Sequence, residues 1–131
     1  MKTFNIGAKG SAELFVDDSS IAANFGSRSL EVLATPTMTM LMEKAACGCI
    51  APYLEDDETT VGTELSIKHI SPTPAGMNVT AEAEVTEING REIVFKVSAY
   101  DDSGLIGSGV HKRFVVFGNR FMAKAAAKLN K

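Results

Sequence analysis

Between Met38 and Ile50 the apolar residues Met38, Leu41, Met42, Ala45, Ala46, Cys49 and Ile50 recur at three- and four-residue intervals and cover more than one face of an α-helix. A helix that is apolar over so much of its circumference has to be enclosed by other structure. Thr35-Pro36 marks its start, with a hydroxyl able to cap and a proline whose missing N–H costs nothing at the first helical position. After Pro52 the period drops to two, and β-branched residues and turn dipeptides take over. The pattern predicts strands at Thr60 to Ile70, Met77 to Ile88, Arg91 to Tyr100 and Leu105 to Phe117, after a short β-like run from Ala12 to Val16. Asn89-Gly90 reads as a type I′ hairpin turn and Asp102-Ser103-Gly104 as a longer one, which makes the last three strands an antiparallel meander. The alanine-rich end, Phe121 to Lys131, predicts a short helix whose lysines suit the negative end of its dipole.

Alternation assigns the faces. Met77, Val79, Ala81, Ala83 and Val85 fall on one side, and Asn78, Thr80, Glu82, Glu84 and Thr86 on the other, so one face is dry and one wet. One long apolar helix, a short first strand and an antiparallel run of four are what a sheet wrapped around a single helix requires. This is an α+β chain with the hotdog architecture. Its 131 residues suit one domain, because a second core would be starved of residues.

Composition narrows the function classes. Hydrophobic residues at 45% and charged residues at 22% are globular values. The formal charge of -3, with no basic run before the sparse C-terminal lysines, argues against nucleic acid as a partner. The stretch Met38 to Leu54 is interrupted by Glu43 and Lys44, a poor membrane span, and the opening MKTFNIGAKGSAEL lacks the apolar core of a secretory signal. A cytoplasmic location, away from membranes, is expected. Cys47 and Cys49 are one residue apart, pointing in different directions on a helix, and read as small buried side chains rather than metal ligands.

Three side chains stand out chemically. Alternation groups His69 with Leu65 and Ile67, and an imidazole on an apolar face is either a satisfied buried polar group or the chain's best-placed general base. Glu43, in an apolar helix, has to be exposed, paired or protonated; beside Lys44 it fits a solvated stripe equally well as a catalytic role. Thr35 fits an N-cap, and free N–H groups at a helix start can also hold an oxyanion. His111 and Arg113 share a face of the last strand and read as an exposed or edge-strand charge cluster, although an arginine there could bind phosphate.

Leu33-Ala34-Thr35-Pro36, Leu41-Met42-Glu43-Lys44-Ala45, Val61-Gly62-Thr63, Lys68-His69-Ile70, Thr73-Pro74-Ala75-Gly76-Met77 and Gly107-Ser108-Gly109-Val110-His111-Lys112-Arg113 resemble, in order and spacing, the fluoroacetyl-CoA thioesterase-like family. The resemblance covers most of the chain. It implies a hotdog homodimer with active sites at the subunit interface, and hydrolysis of a small acyl-CoA thioester without metal or added cofactor, CoA being part of the substrate. The family's catalytic Thr, Glu and His fall on Thr35, Glu43 and His69, while Gly62 and Arg113 match positions near the substrate. The sequence departs from the family's namesake in two places: the segment Ser19 to Leu33 offers only Phe25 where the namesake has an aromatic-rich lid, and Pro36 follows Thr35 where glycine is expected. The competing function is a non-catalytic acyl-CoA binding or regulatory hotdog protein, which needs the same pocket and no working base. A hotdog hydratase is more remote, since the strand carrying His69 shows no motif for that chemistry.

Overall fold

The computed structural model describes residues 1–22 and 30–130. Strand β1 spans Lys9–Phe15, helix α1 Thr35–Ile50, β2 Glu58–His69, β3 Asn78–Asn89, β4 Glu92–Asp101, β5 Gly104–Phe117 and helix α2 Gly118–Ala126. The strands form one antiparallel sheet in the order β1-β3-β4-β5-β2. Helix α1 packs mainly on β1 and β3, and β2 closes one edge of the sheet. The predicted meander is β3-β4-β5. No helix among the described residues is long and apolar enough to cross a membrane.

The alternation along β3 holds. Val79, Ala81, Ala83 and Val85 are all buried, facing α1, where Met38, Leu41, Met42, Ala45, Ala46, Cys49 and Ile50 are buried in turn. Small residues let the helix approach closely. A Cβ on Gly10 of β1 would collide with the Ala45 carbonyl oxygen and stand 2.8 Å from Cys49 Cβ.

Three local expectations are corrected. The β3–β4 turn is centred one residue later than Asn89-Gly90: Asn89 pairs with Glu92, leaving Gly90 and Arg91 as the two turn residues. Gly90 has φ 65° and Arg91 does not share the positive φ, the pattern of a II′ rather than a I′ turn. The terminal helix begins at Gly118 instead of Phe121, because Asp57 Oδ2 accepts the Asn119 N–H at 2.9 Å and caps it there. Helix α1 is capped at Ala34, not Thr35, and Thr35 and Pro36 are its first two residues. Proline is equally harmless at the second position, whose N–H also lacks a partner within the helix. The Thr35 hydroxyl is therefore free of capping and bonds elsewhere. Phe25 and the Gly26 to Ser29 stretch lie outside the described residues.

The close seat of α1 on β1 yields a prediction. Gly10→Ala should lower unfolding free energy by about 1–3 kcal/mol, the usual penalty for forcing a methyl group into a filled core. Urea denaturation measures it. An unchanged midpoint would mean that the helix can shift away from β1 without loss.

Candidate active site

Thr35 opens α1 and His69 ends β2, and the fold brings them together: Thr35 Oγ1 lies 2.8 Å from His69 Nδ1. The other ring nitrogen, Nε2, is buried without any hydrogen-bond partner. Burial lowers the His69 pKa from its ordinary 6.5, partly opposed by the Ser71 backbone, which makes no hydrogen bond to Nε2. The imidazole is thus biased towards the neutral, base-competent form. Both residues line a cleft of about 350 Å³ whose other walls include Ala22, Leu30, Val32, Ile70 and Pro72. Such walls accept an uncharged acyl group more readily than an ionic one.

The oxyanion expectation at this helix start is reduced to one donor. The N–H groups of Thr37 and Met38 both reach the Ala34 carbonyl, that of Ala34 reaches the Ser20 carbonyl at 2.7 Å, and Pro36 has none. Among the described residues the Thr35 N–H alone is left without a partner there.

Glu43 is not part of this pair. Helix α1 is unbroken from Thr35 to Ile50, so the eight residues between Thr35 and Glu43 separate their backbones by about 12 Å. Thr35, Thr39, Glu43 and Cys47 follow one another at four-residue steps along its partly exposed flank. Glu43 Oε2 instead lies 3.7 Å from Arg113 Nη1, and its side chain is 42% exposed.

Around Glu43 lies a second polar cluster. A β-bulge in β2 between Gly62 and Glu64 resets the alternation, so that Gly62 and His69, seven residues apart, both face inward. Gly62 sits close under Glu43, where a Cβ would meet Glu43 Oε2 at 3.2 Å, His111 Cε1 at 3.2 Å and Arg113 Nη1 at 3.3 Å. Only glycine leaves that space open. His111 and Arg113 are not the exposed edge cluster expected: they are 1% and 7% exposed, on the inner face of β5, which is flanked by β4 and β2. Arg113 donates from Nε to Thr60 Oγ1 at 2.8 Å and from Nη2 to the Thr60 carbonyl at 3.0 Å. The five candidates thus divide into Thr35 with His69 and, further along the helix, Glu43 with Gly62 and Arg113. Sequence reasoning missed His111 and Thr60 as members of the second group; the shared parity of His111 and Arg113 on β5 was the available signal. Among the described residues no group of three or more His, Cys, Asp or Glu is arranged to hold a metal ion.

Against this geometry, the model of the family described as Fluoroacetyl-CoA-specific thioesterase matches residues 16–119. The chain belongs to that family. It is therefore a thioester hydrolase by descent, and its relatives agree. The fluoroacetyl-CoA thioesterase of Streptantibioticus cattleyicolor is 43% identical over 98 residues, covering 75% of this chain and 70% of that protein. A solved structure of the fluoroacetyl-CoA thioesterase FlK superposes with a TM-score of 0.89 at 33% identity, covering 97% of this chain and 98% of the other. A variant of FlK has been solved in complex with fluoroacetate and CoA. A hot-dog-like protein from Thermanaerovibrio acidaminovorans, 22% identical with a TM-score of 0.88 over 95% of this chain and 93% of that one, shares the fold. The hotdog architecture read from the strand pattern stands.

Burial also depresses the His111 pKa from 6.5, opposed by its bond to the Glu64 backbone, reinforced by Arg113 and opposed by Glu43. A histidine held below its unfolded value binds fewer protons folded than unfolded. Stability should therefore be complete above pH 6.5 and decline as pH falls from there through the lower folded value. Urea midpoints at about pH 7.5 and about pH 5.5 test this. The drop should be smaller in His111→Gln than in the parent; equal drops would contradict it.

Proposed function

We propose that this thioester hydrolase acts on a small, uncharged acyl-CoA as a homodimer, with Thr35 and His69 of one subunit and Glu43 of the other forming each site. The observation carrying this reading is the 2.8 Å contact between Thr35 Oγ1 and His69 Nδ1, together with a buried His69 Nε2 that has nothing to bond. For Nδ1 to take the threonine proton, Nε2 must carry one, and a buried N–H needs an acceptor. A carboxylate at that point would fix the tautomer and stabilise the imidazolium, the role of the acid in hydroxyl–imidazole–carboxylate triads. Among the described residues no carboxylate bonds to Nε2, and Glu43 is held two helical turns along α1 from Thr35.

The second subunit supplies one. Strand β2 is an edge of twelve residues, and an edge so long invites pairing with another chain. Antiparallel pairing of β2 with its copy, about a twofold axis near Leu65 and Ser66, sets the His69 end of one strand beside Gly62 of the other. Gly62 lies against Glu43 within its own chain, so the partner's Glu43 arrives next to His69. The aliphatic surface of the half-exposed Leu65 would be covered by the same pairing.

In this site the Thr35 hydroxyl gives its proton to His69 Nδ1 as Oγ1 attacks the thioester carbonyl carbon. The Thr35 N–H faces the developing oxyanion. Collapse breaks the C–S bond, and the CoA sulfur leaves with the proton from Nδ1. Water then attacks the threonyl ester, passing a proton to Nδ1; the ester C–O bond breaks and Oγ1 recovers that proton, releasing the acid. Gly62 and Arg113 of the partner would border the acyl group, Gly62 by leaving room and Arg113 by its fixed positive charge.

Incubation with a panel of short acyl-CoAs and a thiol-reactive dye tests the activity directly, since a binding protein releases no thiol. His69→Ala should remain folded and lose about 10²- to 10⁴-fold in kcat, the usual contribution of a positioned base. Near-normal turnover in the folded variant would sink the mechanism. The composite site is tested by complementation: inactive Thr35→Ala and Glu43→Ala homodimers, mixed under conditions that exchange subunits, should regain activity, because one site of each mixed dimer is then intact. No recovery, with exchange verified by a mass-tagged subunit, would overturn the shared site.

A further inference from the structure

His111 has no part in the proton transfers just described, yet it is the most buried titratable side chain of the second cluster, 1% exposed and stacked on the equally buried Phe95 with ring centroids 6.2 Å apart. Its hydrogen bonds fix its chemical state. Nδ1 lies 2.9 Å from the Glu64 carbonyl, and a carbonyl can only accept, so the proton sits on Nδ1. Nε2 is then a lone pair, and Arg113 Nη1 donates to it at 3.1 Å. The bulge in β2 makes this arrangement possible, because it is immediately there that β2 presents the Glu64 carbonyl to the ring.

Arg113 gains from this contact what its other bonds do not provide. Thr60 receives Nε and Nη2, which anchors one side of the guanidinium. The side carrying Nη1 is held by His111 and lies 3.7 Å from Glu43 Oε2. A rigid fork, constrained on both sides, can orient a half-exposed carboxylate that would otherwise sample several rotamers. Any other side chain at position 111 that donates towards Nη1 would push the guanidinium aside.

We propose that His111 is a positioning residue: its Nδ1-protonated imidazole accepts from Arg113, locks the guanidinium, and through it aims Glu43 at the site. This rests on the assignment of Glu43 to catalysis above. Since Glu43 would act on the imidazole of the facing subunit, while Thr60 keeps Arg113 anchored beside the acyl group, the effect of His111 is expected chiefly in kcat.

Two isosteric halves of the ring separate the roles of its nitrogens. Gln at position 111 can place an amide oxygen near Nε2 and keep the acceptor for Arg113, whereas Asn reaches only as far as Nδ1 and keeps the donor to Glu64. His111→Asn should lower kcat roughly 10- to 100-fold with KM nearly unchanged, the scale of a misaligned catalytic group, and His111→Gln should recover most of it. In a Glu43→Gln background, His111→Asn should cost little more, because the group it positions is already disabled. Equal kcat in the Asn and Gln variants, or a full further loss in the Glu43→Gln background, would overturn the proposal. A readout independent of activity is the ¹⁵N spectrum of the His111 ring, which should show the Nδ1–H tautomer at neutral pH; an Nε2–H tautomer or an imidazolium there would overturn it whatever the kinetics. If Glu43→Gln alone left kcat unchanged, the catalytic assignment of Glu43 would fall and this proposal with it, whereas loss in Glu43→Gln combined with equal Asn and Gln variants would remove only the role of His111.

Discussion

Helix α1 buries Met38, Leu41, Met42, Ala45, Ala46, Cys49 and Ile50, and the rest of the structure follows from how that apolar surface is covered. Val79, Ala81, Ala83 and Val85 of β3 take the face carrying Met38, Met42 and Ala45, and the small residues of β1 let the helix settle close to the sheet. What remains uncovered is the flank bearing Met40, 55% exposed, and the stripe from Thr35 through Thr39 to Glu43. Polar side chains can occupy that stripe without an unpaired burial penalty because the sheet does not close over it. Thr35 and Glu43 thus sit where the core stops.

That same helix imposes the spacing problem. A continuous α-helix cannot bring residues eight apart into contact, so Thr35 and Glu43 are assigned to separate clusters by backbone geometry alone, whatever their rotamers. Each cluster is incomplete in a different way. The Thr35–His69 pair has an unpartnered ring nitrogen, and the Glu43–Arg113 pair has a carboxylate loosely held at 3.7 Å and open to solvent. A nitrogen lacking an acceptor and an acceptor lacking a close donor are complementary deficits.

Most of the fold was legible in the sequence because it rests on periodicity. The helix from Thr35, the four long strands and the dry face of β3 follow from spacing that no tertiary contact overrides. What escaped was irregularity. The bulge at Thr63 inserts one residue into the count, so strict alternation would place Gly62 on the face opposite His69, whereas both point inward. The hairpin at Gly90 slid by one residue because a single positive φ suffices for its turn. Capping by Thr35 failed because a nearby imidazole competes for its hydroxyl, a contact 34 residues away in sequence. The burial of His111 and Arg113 was hidden since their charge argued for solvent; Thr60 and His111 accept from the internal arginine with Glu43 close by, and the Glu64 carbonyl accepts from His111. The separation of Thr35 from Glu43 was legible as well, because eight residues along one continuous helix span about 12 Å.

The open edge of β2 ties these threads together. Its unpaired backbone groups are a liability of the isolated chain, and the strand carries His69 at one end and Gly62, beside Glu43, nearer the other. On the proposed pairing, one event satisfies the edge, covers Leu65 and delivers a carboxylate to a buried imidazole. Assembly and catalytic competence would then share their free energy, so that a substitution weakening β2 pairing lowers activity even when it touches no reacting atom. The buried arginine fits the same logic. With Thr60 and His111 fixing three of its nitrogens, its remaining electrostatic influence is directed at Glu43, and a charge so constrained would hold its target in place at little further entropic loss on the proposed pairing.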